Sequence, residues 1–239
     1  MTIDPLCVDV YAGDLDGKPD WQRLVVAGPP WHGVMLKATE GTYYTGGAWF
    51  ADNWPAVRAA AGARYGADFW RFCYHYLRTN EDGATQARFF YETVLAAGGF
   101  GPGDGPIVVD IERAENVGAT LADATKATTD FITAIRQLAG RPVALYAGSF
   151  AIELGMKGLY GADVLWIPRY ASLLDAEYDQ LGVGLAKTFG WQYKEAGGPS
   201  YLAGYPATSP MGDVDTSAII IAGGGAGALQ WLRAQAVVA

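Results

Sequence analysis

This chain of 239 residues carries two cysteines and two histidines, which leaves little room for thiol or imidazole chemistry. One pair, Cys7 and Cys73, is no disulfide framework, and both residues lie in apolar segments where buried free thiols are the expectation. Neither histidine stands in an HExxH-like or cysteine-rich spacing, so no metal site and no cofactor is expected. His75, set among tyrosines, reads as a packed, hydrogen-bonded core group. No apolar run approaches the roughly 18 residues of a membrane span, so membrane insertion is not expected. The opening MTIDPLCVDV has no basic region and its apolar run is interrupted, so no secretory signal is read there. Positive charge is scarce as well. Lysine and arginine number 17 against 25 acids, a net charge of −8, which argues against a nucleic-acid backbone as ligand. With no linker and no internal repeat, residues 1–239 are expected to form one domain, acting as a monomer.

Apolar surface is abundant. Hydrophobic residues make up 51% and charged residues 18%, an ordinary globular composition with length enough for a sizeable core. Aromatic residues reach 13%, and rings beyond the needs of the core would suit stacking on sugar faces.

The stretch that organises the rest is Pro106 to Glu112, PIVVDIE. Its apolar, mostly β-branched run reads as a buried parallel strand ending in two carboxylates. Side chains alternate along a strand, so Asp110 and Glu112 share a face with Val108. Two acids held side by side cannot ionise independently: repulsion and desolvation raise one pKa and leave the other group charged. A proton donor beside an anion is the equipment of glycoside hydrolysis. The structural alternative is a strand end whose acids cap the next helix or pair with Arg113.

Taken in order, Leu6 to Val10 is a short strand holding Asp9, and Pro19 to Ala27 a short helix. Gly33 to Ala38 is a second strand, with Lys37 and Glu40 at its end reading as a local salt bridge. Trp49 to Ala61 has helical spacing, with Pro55 tolerable only near its first turn. Asp68 to Leu77 is an aromatic strand and Gly83 to Ala97 a helix. After PIVVDIE, Leu121 to Leu138 is the longest helical pattern, capped by Thr120 with Asp123 three positions on. Pro142 to Tyr146 is a strand and Ser149 to Met156 a short helix. Asp163 to Pro168, Leu185 to Tyr193 and Met211 to Thr216 then read as strands with little helix between them, before a last helix at Leu229 to Ala236. Five βα units followed by three such strands give an α/β fold, a single modified TIM-like barrel of eight strands. Barrel sites lie at the carboxyl ends of strands, where this reading places Asp9, Asp110, Glu112 and Asp215 together.

The chain resembles glycoside hydrolase family 25, the lysozymes or N-acetylmuramidases of phages and bacteria. The resemblance rests on VDV at 8–10, DW at 20–21, KATEGTYY at 37–44, YHYLR at 74–78, VVDIE at 108–112, RPVALYAG at 141–148, the segment 166–170, WQY at 191–193 and DVD at 213–215. It implies hydrolysis of the β-1,4 bond between N-acetylmuramic acid and N-acetylglucosamine in peptidoglycan, as a phage endolysin or a bacterial autolysin. Glu112 falls on the family's general acid and Asp110 on the carboxylate that orients the substrate's acetamido group, while Asp9 and Asp215 match further acids of the cleft. Three neighbouring carboxylates are expected to supply the repulsion that raises the pKa of Glu112. Tyr74, Tyr146, Trp166, Tyr170 and Trp191 are candidate sugar-binding walls or barrel core, and Gln192, Arg78 and Glu40 candidate polar contacts; Arg78 would equally neutralise one of the acids. A non-catalytic glycan-binding barrel should have lost Glu112 or Asp110, and a chitinase-like enzyme should show the longer DxxDxDxE pattern, of which GPIVVDIE carries only the last two acids.

The opening departs from the family's Gly-Ile-Asp-Val-Ser form, with Cys7 and Val8 before Asp9 and Tyr11 after Val10. No appended cell-wall-binding repeat follows the barrel pattern. Cytoplasmic synthesis and release to the wall, or export by another route, is expected. A net charge of −8 is repelled by anionic wall polymers, so lysis should strengthen as added salt screens that repulsion; a flat response across an ionic-strength series would refute the effect.

Overall fold

Alternation along the strands sorts their side chains into two apolar layers. Met35, Phe72, Val108, Val164, Trp166 and Phe189 fill one cluster, the inside of a closed sheet. Val34, Leu36, Cys73, Val109, Ile111 and Leu145 point the other way and pack beneath the helices. The computed structural model describes residues 6–12, 19–26, 31–169, 180–194 and 215–219. The expected last helix, Tyr170 and residues 211–214 lie outside them.

The chain runs β1 (Leu6–Val10), α1 (Trp21–Val26), β2 (Trp31–Glu40), β3 (Tyr44–Thr45), α2 (Gly47–Ala61), β4 (Trp70–Tyr76), α3 (Gly83–Ala96), β5 (Ile107–Ile111), α4 (Leu121–Ala139), β6 (Val143–Ala147), α5 (Ser149–Glu153), β7 (Val164–Pro168), β8 (Thr188–Lys194) and β9 (Asp215–Ile219). Hydrogen bonding orders the strands β1-β9-β8-β7-β6-β5-β4-β2, and β1 returns to β2, so eight strands close into the expected barrel. β3 is an addition not expected from the sequence, a two-residue hairpin folded back on the end of β2.

Within the closed barrel, neighbours are parallel except at β9, which runs antiparallel to both β8 and β1. This alters the expected placement of Asp215. It is the first residue of its strand, not the last, and the reversal of β9 is what brings it to the rim formed by the carboxyl ends of the other strands.

Local signals explain most boundaries. The Thr120 hydroxyl accepts from the Asp123 amide while Asp123 accepts from the Thr120 amide, a reciprocal cap that starts α4; Gly140, at φ 62°, ends it in a left-handed turn. Asp82 caps α3 in the same sense, accepting from the Thr85 amide at 2.8 Å. Helix α2 corrects the expectation about Pro55: it starts at Gly47 and continues through the proline rather than carrying it in its first turn. Pro55 lies on the exposed side, where water can solvate the carbonyl it leaves unpaired, while Phe50, Trp54 and Val57 anchor the opposite face. His75 is a core group, hydrogen-bonded to Thr39 and Gln86 and stacked on Phe131 at 4.7 Å; burial lowers its pKa to about 4. No helix among the described residues is long and apolar enough to cross a membrane.

Trp166 plugs the barrel. Its ring meets Phe72 edge-on at 5.5 Å and Phe189 at 5.7 Å, and its indole N–H donates to the Ser217 hydroxyl at 3.1 Å. Gly190, its partner on β8, is required by that ring: a Cβ there would stand 2.3 Å from the indole Cδ2. Gly190→Ala is therefore expected to cost about 1–3 kcal/mol of unfolding free energy in urea titration. An unchanged midpoint would mean that the indole moves aside freely.

Candidate active site

Strand register assembles the acids. Asp110 on β5 pairs in register with Tyr76 on β4 and Tyr146 on β6, and Asp9 on β1 with Asp215 on β9. All point into the barrel mouth, above the apolar plug. Glu112 follows β5 directly, and its backbone carbonyl is fixed by the Asn116 side-chain amide at 2.9 Å and the Tyr76 hydroxyl at 3.2 Å. The alternative pairing of these acids with Arg113 does not occur, because Arg113 pairs with Glu153.

The two central carboxyls have different surroundings. Asp110 is only 5% exposed, and its Oδ1 has no hydrogen-bond partner among the described residues. Burial pushes its pKa well up, the negative charges of Glu112 and Asp9 push it further, and Lys37 opposes them. Glu112 is half-buried and borders an open groove of about 260 Å³ lined by Arg113, Ser149, Phe150 and Pro168. Its pKa is raised as well, by burial; Lys37 and a hydrogen bond with the Tyr146 hydroxyl pull the other way. This corrects the expected cause. Carboxylate repulsion falls on Asp110, and desolvation raises Glu112.

Lys37 does more than the local salt bridge expected of it. Its ammonium donates to Glu40 at 2.7 Å and lies over the rings of Tyr76 at 4.8 Å, Tyr44 at 5.4 Å and Tyr11 at 5.8 Å. From there it acts on both central acids. Burial raises the pKa of Glu40, but Lys37 and Arg78 outweigh it and hold that carboxyl below its ordinary value. Arg78 is spoken for at the rim: it donates to Glu40, to the Tyr43 hydroxyl and to Glu115 at 3.0 Å. It neutralises Glu40 and Glu115, and none of its hydrogen bonds reaches Asp110 or Glu112.

Among the candidate walls, Tyr146 joins the acids together with the candidate polar contact Gln192, and Tyr74 stands half-buried on the same inner face. Two tryptophans do not. Trp166 is fully buried in the plug, and Trp191 faces the helix layer, its indole N–H donating to the Arg169 carbonyl at 2.7 Å. Trp191 and Gln192 are consecutive on β8, so strand alternation sends them to opposite faces. Tyr76 and Asn116 were missed. Tyr76 had a legible signal, since it lies two positions beyond Tyr74 on the same face; Asn116, in a loop, had none. Among the described residues no group of three or more His, Cys, Asp or Glu side chains is arranged to hold a metal ion.

Comparisons with known proteins agree on the fold. The bacterial lysozyme of Streptomyces coelicolor superposes with a TM-score of 0.76 at 21% identity, over 98% of this chain and 100% of that one. A family 25 glycosyl hydrolase of Bacillus anthracis gives 0.67 at 22%, over 92% and 90% of the two chains. The catalytic domain of an endolysin from a bacteriophage of Listeria monocytogenes gives 0.66 at 16%, over 98% of each. No curated protein sequence matches the chain. The sequence pattern of the glycosyl hydrolases family 25 matches residues 8–200, from within β1 to beyond β8 and through both central acids, and the chain belongs to that family.

Proposed function

We propose that the chain is a lysozyme that hydrolyses the β-1,4 bond between N-acetylmuramic acid and N-acetylglucosamine in peptidoglycan, with Glu112 as general acid and Asp110 as its anionic partner. The observation that carries the assignment of roles is the contrast between the two carboxyls. Glu112 borders an open groove where a glycosidic oxygen can reach it, while Asp110 is buried beside it with no partner for Oδ1 among the described residues. An acetamido N–H is the donor such an oxygen lacks. In the substrate-assisted scheme, Glu112 gives its proton to the leaving oxygen as the glycosidic bond breaks, and the acetamido oxygen bonds to the anomeric carbon. Asp110 accepts the acetamido N–H and stabilises the positive charge that develops there. Glu112, now ionised, takes a proton from water as that water opens the cyclic intermediate. Asp9 and Asp215 complete the ring of acids and hydrogen-bond sugar or position the central pair. The bacterial lysozyme and phage endolysin among the neighbouring structures support peptidoglycan as the substrate.

Two tests follow. Glu112→Gln should lower turnover by about 10²–10⁴-fold, the usual contribution of a general acid. Peptidoglycan digested by the wild type, reduced with borohydride and analysed by mass spectrometry, should carry reduced muramic acid ends that the variant does not produce; reduced glucosamine ends would point to another hexosaminidase specificity, and wall binding without cleavage to a non-catalytic barrel. Lys37→Met removes the cation that favours the ionised form of both acids. Both pKa values should rise, moving both limbs of the kcat/KM profile to higher pH. Limbs that stay in place would show that Lys37 serves only to fix Glu40.

A further inference from the structure

Two tryptophans that the sequence offers as sugar-binding walls are taken up by the core, which leaves open what meets the apolar faces of the sugars. Among the described residues the two most open aromatic side chains are Tyr43, 60% exposed, and Tyr11, 41% exposed. Both stand on the rim that holds the acids. Tyr11 follows the last residue of β1, two positions beyond Asp9, and is one of the places where the opening departs from the family's form. Tyr43 lies in the turn between β2 and β3. The Lys37–Glu40 pair stands between them: the Lys37 ammonium lies over the Tyr11 ring at 5.8 Å, and the Tyr43 hydroxyl donates to Glu40 at 3.2 Å.

We propose that Tyr43, with Tyr11 beside it, forms an aromatic platform that stacks on an N-acetylhexosamine ring of the glycan strand, away from the scissile bond; the proposal rests on the reading of the chain as a peptidoglycan glycosidase. Register sets the separation. Glu40 pairs with Tyr76 and Tyr76 with Asp110, so the end of β2 lies two strand spacings, about 10 Å, from the buried acid. That is farther than one sugar ring spans, so the platform serves a unit beyond the one whose bond breaks.

Tyr43 is open without being loose. Its hydroxyl is gripped by Glu40 and by Arg78, whose guanidinium carbon also lies 5.4 Å from the ring centroid. Arg78 is anchored in turn to Glu115 at 3.0 Å, and the neighbouring Thr42 hydroxyl donates to Glu81 at 3.0 Å, which ties the turn to the adjoining rim loops. Gly41, at φ 53°, gives the ring its seat, since a Cβ there would stand 2.9 Å from the ring Cε1. A ring already fixed in place gives up little conformational freedom when a sugar arrives. The charges around it are paired with one another, Glu40 with Lys37 and Arg78, so the platform offers an uncharged sugar an apolar face at a polar rim.

Steady-state kinetics on peptide-free glycan strands of graded length, for the wild type, Tyr43→Ala, Tyr43→Phe and Tyr11→Ala, tests the platform. Tyr43→Ala should raise KM about two- to tenfold on long strands, with a smaller effect on kcat, and the penalty should shrink on the shortest strands that are cleaved. Tyr11→Ala should show the same dependence on length, and Tyr43→Phe, which keeps the ring, should retain most of the wild-type KM. An unchanged KM in Tyr43→Ala at every length would overturn the proposal. So would an equal loss at every length, because the tyrosine would then be acting through Glu40 and Lys37 on the acids. Aromatic ¹H–¹³C NMR of Glu112→Gln, with both tyrosines in place, supplies a readout that needs no turnover: adding a long strand should shift the Tyr43 and Tyr11 ring signals. Rings that stay unmoved while the strand binds or is cleaved defeat the platform alone, whereas a wild type that neither binds nor cleaves the strand defeats the functional reading and the platform with it.

Discussion

Crowding of like charges at one rim is the constraint on which the rest of the structure bears. Asp9, Asp110, Glu112 and Asp215 converge on the barrel mouth, and the most buried of them has its pKa pushed well up by desolvation and by its neighbours. Such a cluster persists only if the scaffold holds the acids in place and supplies partners for those that remain ionised. The scaffold does so by register. Pairing of Asp110 with Tyr76 and Tyr146, and of Asp9 with Asp215, is set by hydrogen bonds along the strands rather than by contacts between the carboxyls. Below them the Trp166 plug keeps the strands at fixed separation, and Gly190 gives that ring its space. Compensation comes from Lys37, held by Glu40 and by the rings of Tyr11 just after β1, Tyr44 on β3 and Tyr76 on β4.

Much of the fold was legible because its signals are local. The reciprocal Thr120–Asp123 cap, the apolar run of β5 and the period of α4 all depend on residues close in sequence, and each element lies where its pattern puts it. The direction of β9 was not legible. A strand reads the same whether its neighbours run with it or against it, and closing hydrogen bonds to β1 and β8 decide the matter. Pro55 was misjudged for a related reason, since tolerance of a proline inside α2 depends on which of its faces meets water.

The site was legible in its acids and less so in its walls. D-x-E on one strand is a local pattern, and alternation alone places both carboxyls on one face. The same alternation, applied to residues 191 and 192, would have separated Trp191 from Gln192. Trp166 stood open between wall and core because an aromatic residue facing into a barrel is equally able to line a cleft or fill a core, depending on how far along its strand it lies. Arg78 and Lys37 were ambiguous for another reason. Long cations choose among several acids, and only the fold shows that Glu40 and Glu115 claim Arg78 while Lys37 reaches the central pair.

The unsatisfied Oδ1 of Asp110 ties these points to function. A buried oxygen without a donor costs on the order of 1–3 kcal/mol, and no described residue supplies one to Asp110 Oδ1. Natural interiors rarely keep such a group unless something removes the penalty later. A substrate N–H arriving at that oxygen would remove it, so part of the binding energy becomes the relief of a defect already present. The same event would stabilise the ionised form of Asp110, and through the coupling between the two carboxyls it would raise the affinity of Glu112 for the proton that the proposed mechanism has it deliver. Binding and arming of the acid would then be one step. A barrel that had satisfied Asp110 with its own donor would be more stable, and under the proposed assignment it would lose the contact that distinguishes a sugar bearing an acetamido group from one without.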